Sequence, residues 1–265
     1  MTDGAGAKAV NALVLAGARA SGDALAIAHG VESKALIDVC GAPMLSRVLS
    51  ALGASDRLVD APYVSGLSPD VLRQASGGHP CREARAVAGG PAASLLGAVE
   101  GGVSLPLLVT TCDHALLTPD MVNHFVAEAL KGGADLTVGL ATQDTIQARY
   151  PETRRTYIPF GGDPMSGCNL FFLASPAALK VIEFWRNAER DRKQPWRIAW
   201  RFGPLTALRL LIGRPPGERA FSLISRQLKA KIGLVRMPFA EAAIDVDSFA
   251  DLELVRTILS RGARR

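Results

Sequence analysis

Three carboxylates carry the most pointed chemistry in the sequence. Asp113 stands in Thr110-Thr111-Cys112-Asp113-His114, directly after the apolar run Leu105–Thr111. An acid just past the C-terminal end of a buried strand sits where α/β sheets place their ligands, and a carboxylate there can hold Mg²⁺ against nucleotide phosphates. Asp245 and Asp247, in Ala243-Ile244-Asp245-Val246-Asp247-Ser248, are two residues apart and share one side of an extended chain. They could complete a metal site with Asp113. Plainer readings exist for each: Asp113 as a turn or cap residue, Asp247 or Ser248 as the N-cap of a following helix. His114 is either a second ligand or an ordinary turn histidine.

A positive counterpart lies near the N-terminus. Leu15-Ala16-Gly17-Ala18-Arg19 follows the apolar run Asn11–Ala16, and Ser33-Lys34-Ala35-Leu36 and Gly41-Ala42-Pro43-Met44-Leu45 come after it. A glycine after a buried strand lets backbone N–H groups approach a phosphate, and Lys34 can neutralise phosphate charge. Neither GxxxxGK[ST] nor GxGxxG occurs, which excludes a Walker NTPase and a standard dinucleotide fold.

These residues need elements to position them. Short apolar runs read as buried strands at Asn11–Ala16, Leu105–Thr111, Asp135–Ala141, Cys168–Leu173, Ile232–Met237 and Ala243–Val246. Helical spacing appears at Pro43–Leu52, Pro91–Glu100, Thr118–Lys131, Ser175–Arg190 and Ser248–Leu259. Thr118 is placed to cap its helix, with Pro119 at the first helical position, and Gly17–Ser33 reads as loop. Strands alternating with helices predict a three-layer α/β/α fold with a mostly parallel, Rossmann-like sheet. All 265 residues are expected to form one domain, with residues 185–231 as a basic helical insertion.

The composition, 48% hydrophobic and 21% charged, is that of a globular protein. No apolar run reaches the length of a bilayer span and no signal peptide is visible, so the expected location is cytoplasmic. Cys40, Cys81, Cys112 and Cys168 are widely separated, which argues against a zinc site or a disulfide framework. Of the net charge of +5, the stretch Trp185–Arg236 holds +10, with 13 Lys or Arg against 3 acids, leaving −5 elsewhere. Such a field favours an anionic partner. Within it, Trp196, Ile198, Trp200 and Phe202 alternate with Arg197 and Arg201. That pattern suits a helical subdomain packed on the core, or peripheral contact with an anionic membrane at the inner leaflet.

In their order and spacing, the motifs around Gly17, Ser33-Lys34, Gly41-Ala42-Pro43-Met44-Leu45, Asp113 and Asp245-Val246-Asp247-Ser248-Phe249-Ala250-Asp251-Leu252 resemble those of MobA-like NTP transferases. These are nucleotidyltransferases of the molybdenum-cofactor guanylyltransferase type, with a GT-A-like fold. The resemblance implies that Leu15, Ala16, Gly17, Ala18, Arg19 and Lys34 bind the nucleotide, with Gly89, Gly90 and Ser94 near the base. It implies that Lys34, Asp113 and Asp245 are catalytic and that Asp113 and Asp245 hold Mg²⁺, with Asp247 expected to join them from its spacing to Asp245. The chain departs from the family pattern at Ala18, in place of a second glycine, and at Ser33, in place of a proline. The family's loop arginine, expected near Gly22, is absent.

The expected reaction is transfer of a nucleoside monophosphate from CTP, GTP or UTP to a phosphorylated small-molecule acceptor, with pyrophosphate leaving. If the basic stretch meets a membrane, cytidylyl transfer to a lipid-headgroup precursor is one such case; the sequence itself names neither the nucleotide nor the acceptor. The acceptor pocket is expected around Arg155, Ser166, Gly167 and Asn169, where a glycine-rich turn enters a strand. No nucleic-acid partner is expected. The alternative readings are a GT-A glycosyltransferase using a nucleotide sugar, since Asp245-Val246-Asp247 formally fits a DxD motif, and a non-catalytic nucleotide-binding regulatory protein.

Overall fold

The computed structural model of the chain describes residues 10–17, 22–158, 163–190, 222 and 225–262. In chain order the described elements are β1 (Asn11–Leu15), α1 (Ala24–Ala28), a 3-10 turn (Lys34–Leu36), α2 (Met44–Gly53), β2 (Tyr63–Ser65), α3 (Pro69–Ala75) and β3 (Arg82–Ala84). Next come α4 (Pro91–Glu100), β4 (Leu107–Thr111), α5 (Pro119–Gly132), β5 (Leu136–Thr142), α6 (Gln143–Arg149), β6 (Met165–Leu173) and α7 (Ala177–Arg190). The last are β7 (Ile232–Arg236), a second 3-10 turn (Ala240–Ala243) and α8 (Phe249–Gly262).

The seven strands form one sheet in the order β3-β2-β1-β4-β6-β5-β7. β6 runs antiparallel to both of its neighbours and the other pairs are parallel, so the sheet is mostly parallel as expected. The chain moves outward from β1 through β2 to β3, then returns to add β4 on the other side of β1. Right-handed crossovers therefore place the connecting helices on opposite faces. Ala12 and Val14 of β1 pack with α2, α3 and α5 on one face. Leu13 and Leu15 pack with α4 and α7 on the other. The reversal of strand order between β1 and β4 is a topological switch point, and ligands of open α/β sheets bind outside the strand ends there.

Local signals explain the helix boundaries. The Thr118 hydroxyl accepts the Met121 N–H at 3.3 Å. Pro119 opens α5, and Gly133 closes it in the left-handed conformation. The expected loop 17–33 contains α1. Five residues are too few to show a hydrophobic period, and the helix owes its start to Asp23, whose carboxylate accepts the N–H groups of Leu25 and Ala26. Ala243–Val246 is not a strand. Its backbone leaves the 3-10 turn extended, and the Val246 N–H donates to the Asp113 carbonyl at 3.0 Å instead of joining the sheet. The first residues of the expected basic insertion, 185–190, belong to α7, and Trp185 packs on Phe171 with ring centroids 5.6 Å apart. The tryptophan- and arginine-rich stretch 194–213 lies outside the described residues. Among the described residues, no helix is long and apolar enough to cross a membrane.

Candidate active site

The C-terminal ends of β1 and β4 are tied together. The Cys112 N–H donates to the Leu15 carbonyl at 3.0 Å, and the Ala16 N–H donates to the Ser65 carbonyl of β2 at 2.8 Å. This brings Gly17 beside Gly66, a residue that sequence reasoning missed. Gly66 has φ +100°, and a Cβ placed on it would stand 2.5 Å from both Cα and N of Gly17. Only glycine allows the two turns to approach this closely. The signal was present as Ser65-Gly66, but a three-residue strand carries too little pattern to be read. Leu15 and Ala16 are buried beneath the turn. Ala18 and Arg19 lie outside the described residues.

Lys34 enters from the 3-10 turn. Ser33 caps that turn by accepting the Ala35 N–H at 3.3 Å, and fully buried Ala35 and nearly buried Ile37 pin it to the core. The Gly41-Ala42-Pro43-Met44-Leu45 motif serves the same end. The Met44 N–H donates to Ile37 O and the Val39 N–H to Ala42 O, both at 2.9 Å, which closes the segment onto the start of α2. Lys34 Nζ lies 2.5 Å from Asp113 Oδ2 and 3.5 Å from Asp247 Oδ1. The Thr111 hydroxyl donates to the other oxygen of Asp113. Burial opposes the charge on Lys34, but the adjacent Asp113 carboxylate outweighs it and holds the ammonium above its ordinary pKa.

Asp245 is the second anchor. Its Oδ1 accepts from Arg155 Nη1 at 2.7 Å and its Oδ2 from Asn169 Nδ2 at 3.0 Å. Asn169 reaches it through a bulge. Opposite β5, the register of β6 jumps from Phe171, facing Val138, to Gly167, facing Leu140. Asn169 stands within the jump at φ +49°, a conformation that asparagine tolerates better than most residues. Burial raises the Asp245 carboxyl above its ordinary range, with the Asp113 and Asp247 charges adding to the effect and Arg155 opposing it.

Lys34, Asp113, Asp245, Asp247 and Asn169 thus meet at the switch point. Arg155 joins them with its guanidinium committed to carboxylates. Its Nη2 lies 2.5 Å from Asp251 of α8, and its side chain is only 8% exposed. Ser166 is buried on β6, paired with Ala141, and exposed Gly167 follows it. Gly89 and Gly90, both at positive φ, form the turn into α4. The Ser94 hydroxyl donates back to Val87 O at 3.3 Å and so fastens this turn. His114 is no surface ligand. It is 1% exposed, with Nδ1 3.4 Å from Thr110 Oγ1, and burial lowers its pKa to about 4. Among the described residues no three His, Cys, Asp or Glu side chains form a ready metal cage, so Asp113, Asp245 and Asp247 do not constitute one by themselves.

The chain and its fold are similar to known proteins. A sequence profile of the MobA-like NTP transferase domain matches residues 12–196. A solved structure described as a hypothetical transferase from Thermus thermophilus is 30% identical, with a TM-score of 0.77, covering 92% of this chain and 99% of that one. Two further structures share the fold at lower identity. CMP:2-keto-3-deoxy-manno-octonic acid synthetase complexed with CTP has a TM-score of 0.56 at 14% identity, covering 96% of this chain and 100% of its own. The 4-diphosphocytidyl-2C-methyl-D-erythritol synthase from Anaerococcus prevotii has a TM-score of 0.58 at 10% identity, with the same coverages. A search of curated proteins gives no match. The domain match spans well over half of the sequence, and the chain belongs to the MobA-like NTP transferase family.

Proposed function

We propose that the chain is a Mg²⁺-dependent nucleotidyltransferase that moves a nucleoside monophosphate from an NTP to a phosphorylated acceptor. One observation carries the reading. A lysine paired with Asp113, and Asp245 held by Arg155 and Asn169, converge at the switch point beside the close-packed Gly17 and Gly66 turns. The donor set suits a hard cation. Mg²⁺ needs only one or two carboxylates when phosphates supply other ligands. Asp113 and Asp245 would hold it, and bound there it would offset charge on the phosphates.

An acceptor phosphate is already ionised at neutral pH, so the reaction requires no general base. Its oxygen attacks the α-phosphorus, the bond to the bridging β-phosphate oxygen breaks, and pyrophosphate leaves. Lys34 supplies positive charge, and the Gly17 turn supplies backbone donors to the phosphates. Gly89, Gly90 and Ser94 border the base, and Ser166, Gly167 and Asn169 border the acceptor. The +10 charge between residues 185 and 236 favours an anionic acceptor or an anionic surface that presents one. The fold shared with cytidylyl-transferring enzymes puts CTP first among the nucleotides to test.

The test incubates the protein with Mg²⁺, each NTP and a panel of phosphorylated acceptors, and reads pyrophosphate. Acceptor-dependent release with one NTP is the expected result. Consumption of a nucleotide sugar without pyrophosphate would identify a glycosyltransferase, and NTP binding without turnover a regulatory protein.

A further inference from the structure

Asp245 is one end of a longer arrangement. Arg155 Nη1 donates to Asp245 Oδ1 at 2.7 Å while Nη2 donates to Asp251 Oδ1 at 2.5 Å. The second oxygen of Asp251 accepts from the Ser248 hydroxyl at 2.6 Å. Ser248 Oγ in turn accepts the Asp251 N–H at 3.3 Å, and its carbonyl accepts the Leu252 N–H at 3.0 Å. The first turn of α8 therefore fixes the Asp251 carboxylate, Asp251 fixes the guanidinium, and the guanidinium fixes Asp245.

Exposure grades along this line in an informative way. The Asp245 side chain is 27% exposed, Asp251 17% and Arg155 8%. Each Asp245 oxygen accepts one hydrogen bond from a side chain, from Arg155 and from Asn169. A carboxylate offers about four acceptor positions in all, so capacity remains on the most exposed member. Both Asp251 oxygens are occupied from within the protein. The arrangement has one outward carboxylate and two inward supports. Arg155 Nε is buried with no partner among the described residues, a cost that a bridge serving stability alone would not favour.

We infer that Arg155 and Asp251 are positioning residues that hold Asp245 in the orientation required to receive a divalent cation, and that Arg155 does not contact the acceptor. The inference rests on the nucleotidyltransferase reading above. Partners that orient a metal-binding carboxylate typically change metal affinity by roughly 10- to 100-fold when altered.

The experiment uses Arg155→Lys, which keeps the charge but loses the two-pronged geometry, and Asp251→Asn, which keeps the shape and removes the charge. Mn²⁺ binding to the protein with CTP, GTP or UTP is measured by electron paramagnetic resonance. Thermal melts and steady-state kinetics run in parallel. In both variants Mn²⁺ affinity is expected to fall by roughly tenfold or more. Turnover should fall with it, the acceptor KM should stay near that of the wild type, and excess Mn²⁺ should restore turnover. Folded variants with unchanged Mn²⁺ affinity overturn the inference, as does a loss confined to the acceptor KM. Asp251→Asn keeps the test open if Arg155→Lys fails to fold. Wild-type protein that binds no Mn²⁺ with any NTP would instead refute the nucleotidyltransferase reading itself, before any variant is compared.

Discussion

Removing the charge of Lys34 is the most direct perturbation of the site. In Lys34→Met the stem is kept and the ammonium is lost, so Asp113 loses a partner at 2.5 Å and Asp247 one at 3.5 Å. Lys34 and Asp113 side chains are 16% and 10% exposed, so this pair is not a surface ion pair. Breaking a buried pair on one side costs about 3–5 kcal/mol, because the remaining charge is left without compensation. Asp113 keeps the Thr111 hydroxyl, which lowers the expected loss to roughly 2–3 kcal/mol. In a chain of this size that is a fall in Tm of about 4–12 °C. The sign with pH comes from the raised folded-state pKa. The stabilisation is complete below the ordinary value of 10.5 and disappears only as pH rises through the higher folded value, so a measurement at neutral pH reads all of it.

Two further readouts separate this account from simple loss of packing. Mg²⁺ should raise the Tm of Lys34→Met more than that of the wild type, since a divalent ion replaces the missing positive charge among Asp113, Asp245 and Asp247. In turnover, kcat/KM should drop at least about tenfold, equivalent to about 1.4 kcal/mol of transition-state binding. Lys34→Arg should recover part of this, because a guanidinium carries the charge on a different shape. A Lys34→Met enzyme that melts within about 1 °C of the wild type and keeps its kcat/KM would refute the pairing and the phosphate role together.

Gly66→Ala should destabilise the fold by about 1–3 kcal/mol in urea melts and raise the KM for NTP, because its Cβ meets the Gly17 backbone at positive φ. Gly17→Ala, whose Cβ would meet Gly66 Cα at an ordinary 3.7 Å, should cost less, and equal costs would remove the argument from close approach. Buried His114 titrates near 4 instead of 6.5, so the unfolded chain binds its proton first and stability falls as pH drops between these values. That contribution is about 3 kcal/mol, and in His114→Gln the acid slope of the urea midpoint should flatten across this window. Asp245→Asn should abolish pyrophosphate release while leaving Tm unchanged or higher, because burial and the Asp113 and Asp247 charges already disfavour its ionised form. Wild-type turnover in that variant would remove Asp245 from the reaction.

The residues at strand ends were legible because a buried parallel strand is a continuous apolar run, and the topology puts the residue just past its C-terminal end at the ligand edge of the sheet. Gly17 after β1 and Asp113 after β4 needed only that rule. Thr118-Pro119 and the helix it starts were legible through capping chemistry. β2, β3 and α6 were not, since elements of 3 to 7 residues carry no measurable period, and Gly66 was lost with β2. Arg155 was read as an acceptor residue, without its pairing to Asp245 and Asp251. Its partners Asp245 and Asp251 lie 90 and 96 residues away, and no local pattern announces a contact of that span. Ser248 was visible as an N-cap, which it also is, accepting the Asp251 N–H at 3.3 Å.

The charges at the switch point explain why these parts are found together. Four carboxylates, Asp113, Asp245, Asp247 and Asp251, are linked to two cations, Lys34 and Arg155. Left alone, such a group is short of positive charge, and burial makes the shortage costlier. The raised Asp245 carboxyl is its local expression. An NTP brings further negative charge, so nucleotide and protein carboxylates repel each other unless a cation arrives with them. Lys34 can serve the Asp113 carboxylate or a phosphate, and a divalent ion at the carboxylates would release it for the phosphate. Arg155 has no such freedom, being buried between two acids on α8 and the Asp245 loop. The two cations therefore differ in setting: Lys34 pairs with Asp113 and with the more exposed Asp247, whereas Arg155, less exposed than either of its partners, is locked between Asp245 and Asp251.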